Sequence, residues 1–245
     1  MTAAAPVLLN HFYVTPDRAT FAAVEGSAFV QGFAAVEKRT TVRKDTTYTG
    51  LYLYGESTYF ELLHPDSASF GAPSGIAYAV EERGGMRAVA AALGAEPRTV
   101  TRGEVSWFLL CEPPRRMEAL SDWAMEYLPE FFAGFHPEQP PAHPGISRAD
   151  ALTRYAASCG KLLEREQGLF AEVVTLELRL GPEDMGIWSS RPLRLRGVEV
   201  HALPAEGRSG ILSARLRLRR DAGKSVQQLG STTLTLDGRD AVWRF

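Results

Sequence analysis

Leu8-Leu9-Asn10-His11-Phe12-Tyr13-Val14-Thr15-Pro16-Asp17 is the stretch on which the fold turns. It is apolar on both faces through Val14, the pattern of a strand covered on both sides, and it stops at Thr15-Pro16. Pro16 and Asp17 suit the first turn of a helix, and Phe21, Val24, Phe29, Val30 and Phe33 carry helical spacing onward from it. Three segments rich in β-branched and aromatic residues follow, at 39–43, 48–54 and 58–63, separated by turn chemistry at Lys44-Asp45 and Gly55-Glu56-Ser57. The first 65 residues therefore read β-α-β-β-β.

The same opening recurs. Ile76-Ala77-Tyr78-Ala79-Val80 reads as a strand, and 85–93 as an alanine-rich helix closed by Gly94. A strand at 105–110 comes next, then helices at 117–132 and 147–163, the second with Ser147 and Asp150 in a capping relation. Between these helices lies a proline-rich loop, 136–144. Strands return at 170–180, 193–203, 211–219 and 232–245, with a hairpin turn at Asp237-Gly238 and a bulge expected at Gly197. The fold class is α+β, with this organisation: a first module at 1–70, the start of a second at 71–114, a helical insertion at 115–168, and a β-rich part at 169–245 completing the second module.

Charge and composition exclude several classes. The net charge is −2, with 11 basic and 17 acidic side chains in residues 1–145 and 16 and 12 in 146–245. The basic excess of the second part alternates with leucine, as in Arg215-Leu216-Arg217-Leu218-Arg219, which is the pattern of a solvated sheet face with cross-strand partners such as Glu177. Nucleic acid is not an expected partner, because exposed aromatics do not interleave with the arginines. No apolar run approaches the roughly 20 residues that cross a bilayer, and Met1–Leu9 lacks a basic leader, so no membrane contact and a cytoplasmic address are expected. Two cysteines, Cys111 and Cys159, cannot build a disulfide framework. Gly223-Lys224-Ser225 lacks the first glycine of a phosphate loop and reads as a turn.

What chemistry remains is a pair, His11 on the first strand and Glu61 on the fourth. In alternating strands His11 shares a face with Tyr13, and Glu61 with Tyr59. A carboxylate in the apolar run Tyr59-Phe60-Glu61-Leu62-Leu63 needs a partner or a cavity, since burying it alone costs several kcal/mol. Imidazole and carboxylate together can hold a divalent metal, or the carboxylate can take a proton from carbon. The structural alternative pairs Glu61 with an arginine such as Arg43. Tyr13, Tyr48, Tyr52, Tyr54 and Tyr59 fall on neighbouring strands, where they line a pocket or simply pack. His136, His143 and His201 are expected to face solvent.

The segments Asn10-His11-Phe12-Tyr13-Val14, Tyr48-Thr49-Gly50-Leu51-Tyr52 and Thr58-Tyr59-Phe60-Glu61-Leu62 resemble the first module of the glyoxalase-like, vicinal-oxygen-chelate superfamily. Ser74-Gly75-Ile76-Ala77-Tyr78 resembles the start of its paired module, and the whole chain is similar to an uncharacterised bacterial branch of unknown function. The resemblance implies paired βαβββ modules whose mixed sheets curl around a cavity. It implies one divalent metal (Zn, Ni, Mn or Fe) on His11 and Glu61, with two further ligands from the second module, where Ile76–Val80 offers no histidine. A lyase or isomerase is then expected, with Glu61 as base, His11 as ligand or orienting group, and Tyr13, Tyr52, Tyr59 and Trp107 around a small-molecule substrate. The alternatives are a metal-free binding or sequestering protein, and an interaction protein working through 115–165. A homodimer is the assembly compatible with such modules.

Overall fold

The computed structural model describes residues 4–42, 47–67, 71–133 and 145–245. Arg43, the turn at Lys44-Asp45, and the proline-rich loop with His136 and His143 lie outside the described residues. The first module is β1 (Ala5–Val14), α1 (Arg18–Glu25), α2 (Ala28–Phe33), β2 (Ala35–Val42), β3 (Thr47–Tyr54) and β4 (Tyr59–Leu63). The second is β5 (Ser74–Ala79), α3 (Met86–Leu93), β6 (Arg98–Arg102), β7 (Val105–Cys111) and β8 (Ser121–Tyr127). Both modules join one curled sheet in the order β2-β3-β4-β1-β5-β8-β7-β6. In each, the first strand pairs in parallel with the fourth, and β1 meets β5 antiparallel, so the seam between β1 and β5 is a pseudo-two-fold axis.

The segment 117–132, expected to be helical, contains β8 instead, with only a short α4 (Glu130–Ala133) after it. Alanine, methionine and glutamate favour a helix locally, but the side chains of Trp123-Ala124-Met125-Glu126-Tyr127 alternate and tertiary pairing decides. Ala124 is buried in the core while Trp123, Met125 and Tyr127 face the other side. Two acids share the core side with Ala124, and each is satisfied. Arg191 donates to both oxygens of Asp122 at 2.9 and 2.8 Å, and the Gly84 and Met86 amides donate to Glu126 at 2.6 and 2.8 Å. The second pair of bonds closes the N-terminus of α3, which has no capping side chain of its own.

β8 thus completes the second module, and most of 169–245 forms a sheet of its own. After α5 (Arg148–Ser158) and α6 (Leu162–Gln167) come β9 (Phe170–Leu180), α7 (Pro182–Ser189), β10 (Leu193–Arg196), β11 (Glu199–Pro204), β12 (Gly210–Leu218), β13 (Lys224–Leu229), β14 (Thr232–Asp237) and β15 (Asp240–Arg244). The order of this second sheet is β11-β9-β12-β15-β14-β13. Gly197, at φ 77°, does more than bulge a strand: it ends β10, which pairs with β1 in the first sheet, and β11 starts in the second. Glycine also breaks the expected helices, at Gly26-Ser27 between α1 and α2 and at Gly160 between α5 and α6. The expected turn at Lys224-Ser225 is the start of β13.

The second sheet packs on the rear of the first. Phe60 is central, 5.1 Å from Phe12, 5.3 Å from Trp243 and 5.5 Å from Phe170 between ring centroids. The outer face of this sheet is the charged one, with Arg215 at 3.1 Å from Asp240 and Arg217 at 3.5 Å from Glu172. The arginine–leucine alternation is thus a solvated sheet face, with Glu172 and Asp240 as partners. His201 is exposed beside Glu199, and both cysteines are free thiols. No helix among the described residues is long and apolar enough to cross a membrane.

The Asp122–Arg191 pair ties β8 to the segment between α7 and β10, and burial pushes the Asp122 carboxyl up even though Arg191 opposes the shift. Arg191→Met strands that carboxylate, and a loss of about 3–5 kcal/mol in urea unfolding is expected. Asp122→Asn added to Arg191→Met recovers much of the loss; no recovery refutes the pairing as its cause.

Candidate functional site

The site begins with an irregularity in β1. Its pairing with β5 runs Leu8↔Ala79 and Leu9↔Tyr78, then skips to His11↔Ala77, leaving Asn10 as an extra residue. This β-bulge puts Asn10 and His11 on one side, whereas successive residues of a regular strand point to opposite faces. The Asn10 Oδ1 and His11 Nδ1 therefore meet at 2.8 Å. Beyond the bulge the alternation resumes, with Phe12 and Val14 in the core and His11 and Tyr13 on the concave face.

Cross-strand register lays the rest of the floor in rows. His11 pairs with Tyr59, which pairs with Tyr54, and Tyr13 pairs with Glu61, which pairs with Tyr52. His11 and Glu61 are both buried, with Nε2 and Oε1 3.5 Å apart. Tyr59 stacks on the imidazole at 4.4 Å, and Trp123 meets it edge-on at 5.5 Å. The Tyr13 ring lies over β5 at Gly75, where any Cβ would collide with it, and its hydroxyl donates to the Ala72 carbonyl at 3.0 Å. Tyr13 is thus fixed as part of the floor.

Helix α5 roofs the concave face and is tied down at both ends. Arg148 donates to the Leu9 carbonyl at the bulge, at 2.5 Å, and to Glu81 at 2.9 Å. Tyr155 donates to Glu37 on β2, at 3.3 Å, and the same carboxylate takes the Tyr54 hydroxyl at 2.5 Å. Between roof and floor is a cavity of about 800 Å³. All five tyrosines picked out in the sequence line it, as do His11, Glu61 and Trp107, the last packed against Phe131 at 5.6 Å. Arg39, Trp123, Met125, Tyr127 and Tyr155 line it too and were not anticipated. The strand alternation of Trp123, Met125 and Tyr127 was the available signal for three of them; Arg39 and Tyr155 carry none.

A family model for a family of unknown function, DUF5829, matches residues 9–208, a span that includes every residue named above as lining the cavity. The chain belongs to DUF5829. No curated protein matches it. Among solved structures, a hypothetical protein from Staphylococcus aureus is similar over 91% of this chain and 96% of its own, at 9% identity and a TM-score of 0.52, a likeness of fold alone. A mutant of 4-hydroxymandelate synthase from Streptomyces coelicolor is similar over 66% of this chain and 54% of its own, at 13% identity and TM-score 0.32. A xylose isomerase-like TIM barrel/4-hydroxyphenylpyruvate dioxygenase fusion protein is similar over 96% and 32%, at 14% and 0.35. These last two are too distant to bear on the site.

In this DUF5829 chain the donor set does not fit a resident metal ion. His11 and Glu61 supply two donors, and on the second module the concave face of β5 and β8 presents Ala77, Trp123 and Met125. Among the described residues no three His, Cys, Asp or Glu side chains gather. Two protein ligands hold a divalent ion weakly. The same pair has a clear electrostatic character. Burial, helped by the positive charge of Arg39, pushes His11 down to about 3, so the ring is neutral at neutral pH. Its Nδ1 proton goes to Asn10, whose amide is held in turn by Tyr127, and this leaves the Nε2 lone pair facing the Glu61 carboxylate. Burial and the nearby Glu61 together hold the Tyr59 hydroxyl protonated. Burial, with the nearby Glu61, likewise pushes the Tyr52 hydroxyl up, and Arg39 opposes the shift.

A histidine lowered from 6.5 to about 3 on folding binds its proton more readily in the unfolded chain between those values. Stability is then fully present above pH 6.5 and is lost as pH falls, at up to about 1.4 kcal/mol per unit. Unfolding measured between pH 7 and 5 should show this slope, and His11→Gln should flatten it; equal slopes refute the neutral buried imidazole.

Proposed function

We propose that this protein binds a small organic molecule in the cavity beneath α5, as a glyoxalase-like module pair that works without a resident metal. The observation that carries this reading is the cavity itself: about 800 Å³, walled by tyrosine and tryptophan, with His11, Arg39 and Glu61 among its lining. Pockets of this size and lining, with a few convergent polar groups, are the usual form of small-molecule sites. The symmetric order of the paired modules supports the superfamily assignment, and Trp123 and Met125 on the cavity side of β8 support a pocket shaped for an organic molecule. Leu152, on the inner face of α5, is the residue through which to test it. Small aromatic compounds that raise the melting temperature should do so equally with chelator and with added zinc, nickel or manganese, and Leu152→Trp should abolish the shift. Shifts that vanish with chelator overturn the metal-independent reading.

A second reading, general-base catalysis by Glu61, is favoured by one observation: the carboxylate and the imidazole lone pair face each other 3.5 Å apart in a partly desolvated site. A base held there for function is retained at a cost to the fold. Glu61→Gln keeps size and removes the proton acceptor, so turnover of a substrate should fall about 10²–10⁴-fold while the melting temperature stays or rises. A loss of roughly 3–5 kcal/mol instead marks Glu61 as half of a structural ion pair and removes it from the site.

A further inference from the structure

We propose that the ligand of the cavity is an organic carboxylate, an aromatic body whose carboxylate docks on the Arg39 guanidinium. The inference rests on the reading of the cavity as a ligand site and adds the chemical class of ligand.

Arg39 stands on β2, opposite Gly50 of β3, and lines the cavity. With no side chain at Gly50, the Tyr52 ring leans over that position, where a Cβ would meet it at 3.4 Å, and the guanidinium lies 3.9 Å from the ring centroid. The Tyr155 ring, from the roof helix, approaches the same guanidinium at 5.2 Å. Attraction to ring faces engages the charge of a guanidinium and leaves N–H donors for an acceptor. The Tyr52 hydroxyl takes one of them. Glu37 is the acid paired with Arg39, and at 3.6 Å it is beyond hydrogen-bond length. Its oxygens already take the Tyr54 and Tyr155 hydroxyls, and it is not among the residues lining the cavity. Arg39 therefore shows the cavity a positive charge with donors to spare, the fork that a carboxylate meets with two parallel bonds.

The charges around the cavity point the same way. After burial, Arg39 is what pushes His11 down, and it opposes the rise that burial and Glu61 impose on the Tyr52 hydroxyl. Arg98 is set against Glu112 at 3.5 Å, and Asp122 is held by Arg191. Arg116 is exposed, lines the cavity, and has no acid set against it among the described residues. Glu61 is the acid that an anion has to avoid, and it stands beside His11 on β4. Strand β3 lies between β4 and β2, a separation of about 10 Å at the usual strand spacing, so a carboxylate seated at Arg39 keeps clear of it. The body of the ligand then rests against the aromatic floor, where Tyr59 and Trp123 line the cavity.

Three probes that share a naphthalene body and differ in the terminal group test this: 2-naphthylacetate, 2-naphthylacetamide and 2-(2-naphthyl)ethylamine, titrated calorimetrically at pH 7. The carboxylate is expected to bind at least tenfold more tightly than either of the others. Arg39→Met keeps the apolar stem and removes the charge, and it should weaken the carboxylate tenfold or more while leaving the amide within threefold. Arg39→Lys keeps the charge without the fork and should recover only part of that loss. Arg116→Ala should weaken the carboxylate about threefold and flatten its dependence on salt. Equal binding of the amide, or tighter binding of the amine, overturns the carboxylate assignment and leaves the ligand cavity standing. Undiminished carboxylate binding by Arg39→Met overturns Arg39 as its seat. Binding of none of the three overturns both the cavity and the ligand class. Should Arg39→Met fail to fold, the ranking on the unaltered chain and the loss in Arg39→Lys decide.

Discussion

One extra residue in β1 governs the front of the molecule. Without the bulge at Asn10, either His11 or Phe12 would point the wrong way, because a strand alternates strictly and a single slip moves every later side chain to the other face. With it, Leu9 and Phe12 both reach the core, and Asn10 sits beside His11, which lines the cavity. The same bulge exposes the Leu9 carbonyl, which Arg148 takes to anchor α5. Tautomer, ring orientation and roof are thus set by one backbone feature.

The two modules share a topology and divide the work. β1 and β4 carry the polar groups, whereas the concave positions of β5 and β8 carry Gly75, Ala77, Trp123 and Met125. Gly75 on β5 leaves room for the Tyr13 ring, and the large residues Trp123 and Met125 on β8 line the cavity. The two acids of β8 point backward: Asp122 takes Arg191, from the segment between α7 and β10, and Glu126 caps α3. One half of the pair is built for chemistry or recognition and the other for shape.

The first module was legible in the sequence because its signals agree. Strand runs, turn residues and the breaks at Pro16 and Gly55 agree with one another, and the shared face of His11 with Tyr13, and of Glu61 with Tyr59, follows from alternation alone, whereas the register that joins the two pairs does not. The second module was half legible. β6, in Arg98-Thr99-Val100-Thr101-Arg102, is short and charged at both ends, and β8 has helix-forming residues whose alternation yields to propensity when read locally. The bulge itself left no trace in the letters, since Asn10 fits an ordinary strand equally well. The roof was read as helix but could not be placed, because nothing in Ser147–Ser158 says which surface it covers; the Arg148 and Tyr155 contacts are long-range.

The passage through Gly197 has a consequence for how the chain comes apart. β10 is zipped to the first half of β1, and immediately after the glycine β11 is zipped to β9, so a single backbone stitch runs from one sheet into the other. Neither layer can peel away without tearing a strand pairing in its neighbour and opening the aromatic interface around Phe60. Although the sequence reads as successive modules, heat or denaturant should meet one cooperative body, melting in a single transition whichever layer the probe reports on.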